Sequence, residues 1–337
     1  MPEPIRWGVI GPGFIATHFA RDLQYIPDDA VVTAVASSRA GGADAFAAEF
    51  DVPNVHPSYA DLVADPEVDA VYVATPHSGH HAAALLAIDA GKHVLVEKPV
   101  TINERQAAEL VGAARTKGVF FMEAMWTRFL PHIAYVHDVI SSGRLGEIRY
   151  LFAEQGLWFD PADADHRLFD PDLGGGALLD LGIYPISLAL SILGAPRNIV
   201  SAADLTDRGV DAQTTSILQY GNGTQAICTS TLLATTRTGA VIAGTRGRIE
   251  IEPRWMTPSE VRVIDEDGTV TVRENDYVGH GLREEAVEVA RCIRSGLIES
   301  PLMPHDFTLL TMATMDAIRG QVGLRYSVDD AGVATRP

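Results

Sequence analysis

The feature that most constrains the fold of this chain is an alternation of short apolar runs with helical patterns over roughly the first 125 residues. Runs rich in valine and isoleucine, such as IRWGVIG, VVTAVAS and DAVYVAT, each precede a segment in which apolar residues recur at helical spacing. Uninterrupted apolar strands are typical of a parallel sheet covered by helices on both faces. Because strand and helix repeat in this order, the sequence predicts an α/β fold with a doubly wound parallel sheet.

From about residue 145 the pattern changes. A strand-like segment, EIRYLFAEQGLWF, and one predicted helix, GALLDLGIYPISLALSILG, are followed by several strand-like runs separated in places by turn residues. Successive strands with short turns favour antiparallel pairing. We therefore predict a dinucleotide-binding Rossmann domain over 1–125. Residues 126–337 are predicted to form an α+β domain with a large, open, mostly antiparallel sheet, whose final helix has the option of packing back on the first domain.

Length and charge limit the classes of function. The chain has 337 residues, more than one hydrophobic core usually supports, so two domains are expected. Its formal net charge is -18, with 26 Lys and Arg against 44 Asp and Glu. Because proteins that bind nucleic acids present a basic face, this balance argues against a nucleic-acid partner.

Cysteine content and hydropathy bear on the compartment. The two cysteines, Cys228 and Cys292, are far apart and lack a metal-type spacing, which argues against a disulfide framework and favours a reducing compartment. The first residues show no basic segment followed by an apolar run, and no uninterrupted apolar stretch reaches the roughly 18 residues that cross a bilayer. We expect a cytoplasmic protein with no membrane partner.

The letters GPGFIA, residues 11–16, follow the first predicted strand and open the first predicted helix. In this G-x-G-x-x-A pattern Gly11 allows a tight turn, and Gly13 lets the backbone approach a pyrophosphate. The N-terminus of a helix adds unpaired N–H donors and partial positive charge. We therefore predict that Gly11, Gly13, Phe14 and Ile15 contact a dinucleotide.

The second strand ends at Ser37, Ser38 and Arg39. A protein that prefers NAD usually places an acidic residue there, where it accepts a hydrogen bond from the ribose 2′-hydroxyl. Two hydroxyls and an arginine suit a 2′-phosphate better, because a phosphate needs donors and positive charge. The sequence therefore favours NADP(H) as cofactor, with NAD(H) still possible. The alternative is that Arg39 is a solvated surface residue.

The third strand ends at Thr75, Pro76 and His77, at the edge where open α/β sheets bind ligands. His80 and His81 follow at the start of the next helix. No carboxylate or cysteine accompanies these histidines, so we expect no metal site. Instead we predict that Thr75, Pro76, His77 and His80 contact the cofactor.

The fourth strand ends at Glu97, Lys98 and Pro99. A lysine at the carboxyl edge of a parallel sheet is well placed to protonate, polarise or orient an alcohol oxygen. We therefore predict Glu97 and Lys98 in the cofactor site and Lys98 also as a catalytic residue. The Lys98-Pro99 bond is a candidate for a cis peptide, which only X-Pro bonds adopt cheaply. The alternative is a surface lysine at a strand end.

The chain resembles the Gfo/Idh/MocA oxidoreductase family in the motifs at residues 11–13, 75–76 and 91–99 and in Asp180. The segments MEAMWTRFLP, RLFDP, GGGALLDLGIYP and LIESPLMP narrow the resemblance to its dimeric dihydrodiol dehydrogenase and D-xylose 1-dehydrogenase branch. The resemblance covers essentially the whole chain. It implies an NAD(P)-dependent dehydrogenase acting on CH–OH groups and a homodimer or higher homo-oligomer formed through the C-terminal sheet. An open apolar sheet face on a soluble protein also calls for a cover.

Asp180 and Tyr184 lie four positions apart in an apolar segment, and residues at this spacing share one face of a helix. Many members of the family place Asp and His there, so the resemblance moves proton transfer from an imidazole to the phenol of Tyr184. A tyrosine has a pKa of about 10 and needs a cation such as Lys98 to act near neutrality. Asp180 would hold Lys98 or the substrate hydroxyl. The alternative makes Tyr184 a core aromatic and Asp180 a helix cap.

A pocket for a sugar or diol combines aromatic faces with groups that bind hydroxyls. The candidate residues for such a pocket are Trp126, Arg128, Trp158, Phe159 and Arg167. The resemblance implies that Trp126 borders the substrate, whereas the others are equally compatible with the core or an interface. His280 lies in a loop from which it has the option of reaching the site, but a surface position is the default expectation.

The leading hypothesis is an NADP-dependent dehydrogenase of a sugar, such as D-xylose or a similar aldopyranose at C1, or of a cyclic trans-diol. An alternative is a reductase of a ketose or anhydrosugar that uses NADPH. A more distant alternative is a non-catalytic regulator that senses dinucleotide or sugar. Such a regulator would be expected to lack Lys98 or the pair of Asp180 and Tyr184, and this sequence has all three.

Overall fold

A computed structural model gives the fold and describes residues 3–161, 163 and 166–330. The chain forms two compact units. The first contains the residues up to Phe129 together with Val278–Leu309, and the second contains Leu130–Tyr277 with the chain from Leu310 onward. The predicted boundary between residues 125 and 126 stays a prediction, but it leaves out the return of Val278–Leu309 to the first unit.

The first unit contains a six-stranded, fully parallel sheet in the order β3-β2-β1-β4-β5-β6. Its strands are β1 (Ile5–Ile10), β2 (Ala30–Ala36), β3 (Asn54–His56), β4 (Ala70–Val73), β5 (His93–Glu97) and β6 (Phe121–Ala124). The connecting helices are α1 (Phe14–Leu23), α2 (Gly42–Phe50), α3 (Tyr59–Ala64), α4 (His80–Asp89) and α5 (Glu104–Lys117). The predicted doubly wound parallel sheet is confirmed. Strand order reverses at β1 and β4, the position at which such sheets bind ligands.

Local sequence signals set several of these helix boundaries. The side chain of Asn103 accepts a hydrogen bond from the Gln106 N–H and caps α5, as Ser58 caps α3 through the Asp61 N–H. Helix α5 ends at Gly118, whose φ of 71° lies in the left-handed region that glycine adopts readily. The short elements β3 and α3 were not predicted, because three and six residues show too little periodicity.

The second unit contains an eight-stranded sheet in the order β14-β13-β12-β11-β7-β10-β9-β8. Its first helices and strands are α6 (Pro131–Ser141), β7 (Ile148–Gly156), α7 (Ile183–Leu193), β8 (Asn198–Leu205) and β9 (Asp211–Gln219). The remaining strands are β10 (Gln225–Thr231), β11 (Ala240–Gly244), β12 (Gly247–Ile251), β13 (Val261–Asp265) and β14 (Val270–Arg273). Every neighbouring pair is antiparallel except β10 with β7, so the predicted mostly antiparallel sheet is confirmed.

One face of this sheet is covered by the apolar helix α7, which contacts β7 and β10. Alternate residues such as Leu151, Leu218 and Ile242 are fully buried there. Within the described residues, the stretch Pro171–Leu193 is long and apolar enough to cross a membrane, but 83% of its apolar window is buried inside the protein. It is therefore a core helix of this unit.

Three helices complete the described chain: α8 (Arg283–Arg294), α9 (His305–Val322) and α10 (Ser327–Asp330). Helix α8 contacts α1 and β2 of the first unit. Its N-terminus is fixed by the carboxylate of Asp22, which accepts hydrogen bonds from the N–H groups of Gly281 at 2.6 Å and Leu282 at 2.8 Å. Asp22 therefore caps a helix that lies some 260 residues further along the chain.

Candidate active site

The loop at residues 11–13 has the geometry of a phosphate-binding turn. Gly11 has φ +80°, and a Cβ built on it would lie 2.8 Å from the Thr75 nitrogen, so only glycine fits. A Cβ on Gly13 would meet nothing in the described chain nearer than the Gly11 carbonyl oxygen at 3.9 Å. The space beside Gly13 is therefore open, as close approach by a ligand requires.

Helix α1 begins immediately after this loop. Phe14 is 78% exposed, and Ile15 follows in the first turn, which carries no acidic residue. The first N–H groups of a helix have no acceptor within the helix. Loop and helix start therefore form a cradle that fits the pyrophosphate of a dinucleotide.

The predicted 2′-phosphate residues lie at the end of β2. Ser37 is half-buried and its Oγ accepts a hydrogen bond from the Arg39 N–H at 3.1 Å, whereas the side chains of Ser38 and Arg39 are exposed. In the part of the chain that the structure describes, no carboxylate pairs with Arg39. A Cβ on Gly42 would lie 2.8 Å from Ser37 Oγ, so glycine at the start of α2 leaves room for this group.

His80 is placed differently from its prediction as a cofactor contact. It is 1% exposed, and its ring nitrogens Nδ1 and Nε2 each lie 2.8 Å from a carbonyl oxygen, those of Pro99 and Thr75 respectively. Burial lowers its pKa to about 3. Because both ring nitrogens face backbone carbonyl oxygens and a neutral imidazole has one N–H to donate, His80 is bonded to one of these carbonyls, and neither ring nitrogen faces a ligand.

The other predicted residues of this edge remain well placed. Thr75 is partly buried, and its Oγ1 has no hydrogen-bond partner among the residues described. Pro76 is exposed and His77 is buried at the end of β4. The edge of β4 therefore offers a hydroxyl donor that the protein itself does not use.

The segment that follows β5 holds Lys98. The Lys98-Pro99 peptide is cis, as predicted. Glu97 is buried, accepts a hydrogen bond from the Tyr72 hydroxyl, and accepts another from the Lys98 N–H at 3.1 Å. Glu123, fully buried on β6, accepts from the Val100 N–H at 2.9 Å. The backbone on both sides of Lys98 is therefore fixed by buried carboxyl groups.

Two buried acids of this unit were not predicted. Burial raises the pKa of Glu123 to about 7. Glu285, on α8, is fully buried, and neither carboxyl oxygen has a partner among the described residues. Burial and the nearby charges of Glu97 and Asp22 raise its pKa well above the usual range. The burial of Glu285 was not predictable from the sequence, because acidic residues in the first turn of a helix are common.

His280 is a second site residue that sequence reasoning set aside. Its ring stacks on His18 with centroids 4.1 Å apart and on Trp126 at 5.4 Å, and its N–H donates to Asp22 at 2.8 Å. Phe14 contacts the other side of His18 edge-on at 4.5 Å. A continuous aromatic stack thus joins the start of the phosphate loop helix to Trp126, with His280 partly buried within it.

Arg128 lies in the first unit, and its side chain packs against neighbouring residues of that unit. Its guanidinium sits 4.0 Å above the centre of the Phe307 ring, and its Nε donates to the Leu302 carbonyl. Burial lowers its pKa to about 10. These contacts tie Arg128 to the segment after α8 and favour a structural role over hydroxyl binding.

The helix with the acid and the phenol lies in the second unit and is not one regular helix. Residues Leu178–Gly182 form a π turn, and α7 begins at Ile183. The cause lies in Pro185, which lacks an N–H and whose ring would clash with the carbonyl four residues earlier in a regular helix. A π turn bonds each residue to the fifth one along, so it bypasses the proline. The predicted single helix ending at Gly194 is therefore a π turn that continues into α7, and Pro185 is the local signal of the change.

Asp180 and Tyr184 are both buried, each 7% exposed. Asp180 accepts a hydrogen bond from Nη2 of Arg167 at 3.0 Å, and Arg167 lies in a 3₁₀ turn, Arg167–Phe169. Asp180 is not the helix cap, because the first N–H groups of the helix are bound by Asp211 instead. The structure thus joins Arg167, predicted to bind substrate, to the predicted catalytic acid.

The remaining predicted substrate residues differ in exposure. Trp158 is 58% exposed. Phe159 packs against a buried cluster that includes Leu168 and Leu181, beneath the same helix. Some neighbouring positions of the loop, 162, 164 and 165, lie outside the described residues. Within the described residues no group of His, Cys, Asp and Glu side chains is arranged to hold a metal.

Comparison with protein families matches both units. Residues 5–125 match the model described as "Oxidoreductase family, NAD-binding Rossmann fold". Residues 133–250 match the "GFO/IDH/MocA C-terminal domain". The first domain is therefore an NAD(P)-binding Rossmann domain.

Curated relatives extend over nearly the whole chain. Trans-1,2-dihydrobenzene-1,2-diol dehydrogenase of Bos taurus is 34% identical over 335 residues, covering 96% of this chain and 99% of the relative. The protein of the same name from Mus musculus is 35% identical with the same coverage. The resemblance to the dihydrodiol dehydrogenase branch is confirmed.

Solved structures have the same fold. KijD10, a 3-ketoreductase from Actinomadura kijaniata in complex with NADP and TDP-benzene, has a TM-score of 0.84 at 31% identity, covering 95% of this chain and 98% of that one. Levoglucosan dehydrogenase in complex with NADH and levoglucosan has a TM-score of 0.85 with the same coverage. Its identity of 21% shows the fold alone.

Motifs, fold and comparisons agree over both units. They support an enzyme that uses a nicotinamide dinucleotide, and they disfavour the non-catalytic regulator. The chain belongs to the Gfo/Idh/MocA family of oxidoreductases.

Proposed function

We propose that the chain is an NADP-dependent dehydrogenase of a sugar, such as D-xylose or a similar aldopyranose oxidised at C1, or of a cyclic trans-diol. The observation that carries the proposal is the pair of buried polar side chains, Asp180 and Tyr184, on an otherwise apolar helix. Burying polar groups costs free energy, which an apolar replacement would avoid. The names of the curated relatives support the diol as a substrate class.

The chemistry divides between cofactor and chain. When bound in the cradle of the first unit, the nicotinamide cofactor would supply the hydride acceptor for the carbon that carries the hydroxyl. The chain must then take the hydroxyl proton, which leaves a carbonyl product, or a lactone from an aldopyranose. We assign Tyr184 as the general base and Lys98 as the cation that favours its phenolate form. Asp180, held by Arg167, orients the substrate hydroxyl.

The cofactor assignment rests on the cradle in the first unit. The open space beside Gly13 and the start of α1 fit the pyrophosphate, and Ser37, Ser38 and Arg39 supply donors and charge for a 2′-phosphate. We therefore propose NADP(H) as the preferred cofactor and NAD(H) as a weaker one. Solved relatives with bound NADP support this choice.

Among the predicted substrate residues, Trp126 and Arg167 have the strongest support. Trp126 is held by the stacked ring of His280, and Arg167 is bonded to Asp180. Trp158 is kept as an exposed candidate. The contacts of Arg128 and Phe159 favour packing roles for these two.

A second candidate function is reduction of a ketose or anhydrosugar with NADPH. The similarity to a solved 3-ketoreductase favours it. The same residues would act in reverse, with Tyr184 donating the proton to the forming alkoxide. Cofactor supply and substrate decide the direction.

We also propose that the protein is a cytoplasmic homodimer or higher homo-oligomer, with no nucleic-acid or membrane partner. The face of the eight-stranded sheet opposite α7 carries a row of partly exposed apolar residues at paired positions across neighbouring strands. These residues are Val200, Ile217, Ile227, Phe152 and Val241. The row continues into Glu250 and Arg262. An apolar centre with a charged edge is suited to pairing with a second copy of itself.

The test is an activity panel on the purified protein, with NADP and NAD as oxidants and D-xylose, D-glucose and a trans-dihydrodiol as substrates. We expect NADPH formation with at least one of them, and slower formation of NADH. NADPH consumption with a ketose or anhydrosugar, without oxidation of any alcohol, would favour the reductase instead. No turnover in either direction with a broad polyol panel would refute both enzyme assignments.

A further inference from the structure

The helix with Asp180 and Tyr184 begins at a glycine loop, residues 174–176. The N–H of Gly175 donates to the Asp170 carbonyl at 2.9 Å, and the N–H of Gly176 donates to the Leu168 carbonyl at 2.8 Å. A Cβ on Gly175 would lie 2.7 Å from the Arg167 carbonyl oxygen, so a side chain is excluded there. One side of the loop is therefore fixed to the turn that carries Arg167.

The other side of the loop meets Asp211, the first residue of β9. Asp211 is fully buried, and its Oδ2 accepts hydrogen bonds from the Leu178 N–H at 2.8 Å and the Thr214 hydroxyl at 2.6 Å. The Ala177 N–H also faces the carboxylate. Its Oδ1 lies against Gly176 and has no hydrogen-bond partner among the described residues. A buried carboxyl group with an unused oxygen is costly, so its retention calls for a reason.

Tyr326 holds the same loop from the C-terminal end of the chain. It is 4% exposed, and its hydroxyl donates to the Gly175 carbonyl at 2.6 Å. The guanidinium of Arg319 lies 5.3 Å from the centre of its ring. Asp329 accepts from both Arg319, at 2.8 Å, and the Tyr326 N–H, at 3.0 Å. The phenol is therefore itself held in one orientation.

This arrangement differs from an ordinary helix start. A helix is usually capped by the residue that precedes it. Here the preceding residues are glycines, which have no side chain to cap with and lose the most freedom on folding. The capping carboxyl group, Asp211, comes from 33 residues further along the chain, and the Tyr326 hydroxyl that holds the Gly175 carbonyl comes from 151 residues further along. Position and direction of the helix are therefore set by tertiary contacts, not by local sequence.

We propose that Asp211 and Tyr326 are positioning residues for catalysis, which fix Asp180 and Tyr184 by clamping the glycine loop at the start of their helix. The Asp180 N–H bonds to the Gly176 carbonyl at 3.3 Å, so a shift of the clamped loop passes directly to the acid. The catalytic part of this proposal rests on the function proposed above. The clamp itself is a property of the fold and is testable without turnover.

The test compares Tyr326→Phe, Asp211→Asn and Asp211→Ala with two matched controls. Tyr220→Phe removes a buried hydroxyl that has no partner in the described chain, and Ser216→Ala removes a buried hydroxyl from β9 itself. A small misplacement of a catalytic group costs up to about 100-fold in rate. We expect kcat to fall about 10- to 100-fold in Tyr326→Phe and Asp211→Ala.

The dissociation constant for NADPH should be the same in the variants as in the wild type. Deuterium at the substrate carbon that loses the hydride should slow turnover more in the variants than in the wild type. Asp211→Asn keeps an acceptor oxygen for Leu178, so it should recover part of the kcat lost in Asp211→Ala. Both controls should keep wild-type kcat. The catalytic proposal would be overturned if Tyr326→Phe and Asp211→Ala had the same kcat as the two controls.

Hydrogen–deuterium exchange of the backbone amides in residues 174–186 separates this proposal from the proposed function. We expect faster exchange there in Tyr326→Phe and Asp211→Ala, and wild-type exchange in both controls. If the wild type turns over no substrate, the proposed function fails while faster exchange still supports the clamp. Unchanged exchange in both variants would refute the clamp whatever the activity.

Discussion

Arg39 is the exposed side chain on which the proposed preference for NADP(H) mainly depends. It lies at the end of β2 beside Ser37 and Ser38, where an acidic residue would select for NAD. Its position was predictable from sequence because it directly follows an apolar strand of the parallel sheet. The same holds for Gly11, whose positive φ and close approach to Thr75 leave no other residue possible.

The variant Arg39→Ala removes the cation proposed for the 2′-phosphate. A hydrogen bond to a charged group contributes about 1.5–3 kcal/mol, so the dissociation constant for NADP should rise at least about tenfold. The dissociation constant for NAD should stay the same, because NAD lacks that phosphate. Titration by isothermal calorimetry checks both values, with Arg248→Ala on the second unit as control. Equal weakening of both cofactors would contradict this role.

His80 and His280 mark the limit of prediction at the residue scale. Their sequence positions suggested a cofactor contact and a surface loop, whereas the structure gives His80 two carbonyl partners and stacks His280 on His18 and Trp126. Burial lowers the pKa of all three histidines, and the charge of Arg21 or of a neighbouring histidine adds to the effect. Such environments arise from residues far apart in the sequence, so a local motif does not show them.

The helices and strands were largely predictable, and the exceptions have physical causes. With the exception of β3, the strands of both sheets follow their apolar patterns, including all seven after residue 197. The π turn at Leu178–Gly182 was missed because apolar periodicity does not distinguish it from a regular helix. The placement of α8 with the first unit was missed because it depends on Asp22, a contact without a sequence signature.

The cap that Asp211 forms on the helix of Asp180 and Tyr184 depends on pH. Burial raises its pKa from 3.8 to about 7. Between about pH 4 and 7 the folded protein therefore keeps a proton that the unfolded chain has lost, so the free energy of unfolding falls as pH rises. The pKa of Tyr326, whose phenol interacts electrostatically with Asp211, is raised well above its usual value, so Tyr326 does not ionise in this window.

Asp211→Asn cannot titrate at this position. Its free energy of unfolding should fall less steeply with pH over this window than that of the wild type, by up to about 1.4 kcal/mol per pH unit. Glu123 and Glu285 contribute in the same direction and remain in the variant. Urea unfolding at several pH values measures the slopes. Parallel curves for the two proteins would show that Asp211 does not titrate there.

At the scale of the whole molecule, the exposed face of the eight-stranded sheet supports the proposed homo-oligomer. The row centred on Ile227 places apolar side chains across five strands, next to Glu250 and Arg262. Isolated apolar residues at a surface need no explanation, but a contiguous row on one sheet face does. We therefore expect two copies of the chain to pack against each other through this face and to bury its apolar row.

The variant Ile227→Asp tests that pairing. Sedimentation equilibrium at micromolar concentration should give a mass near twice that of one chain, or a higher multiple, for the wild type. Ile227→Asp should shift this mass towards that of a single chain, because a charge would be buried without a partner. Leu86→Asp changes an exposed leucine of α4 in the first unit and serves as control. A monomeric wild type would contradict the proposed assembly.

The central claim is that the phenol of Tyr184 takes the proton while a hydride leaves the substrate carbon. The most direct measurement is single-turnover NADPH formation by the wild type and Tyr184→Phe, with protium and deuterium at that carbon. General base catalysis contributes about 100- to 10,000-fold, so we predict a loss of that size in Tyr184→Phe, with unchanged NADP affinity and no loss in Tyr220→Phe. Single-turnover rates in Tyr184→Phe equal to those of the wild type would contradict the account.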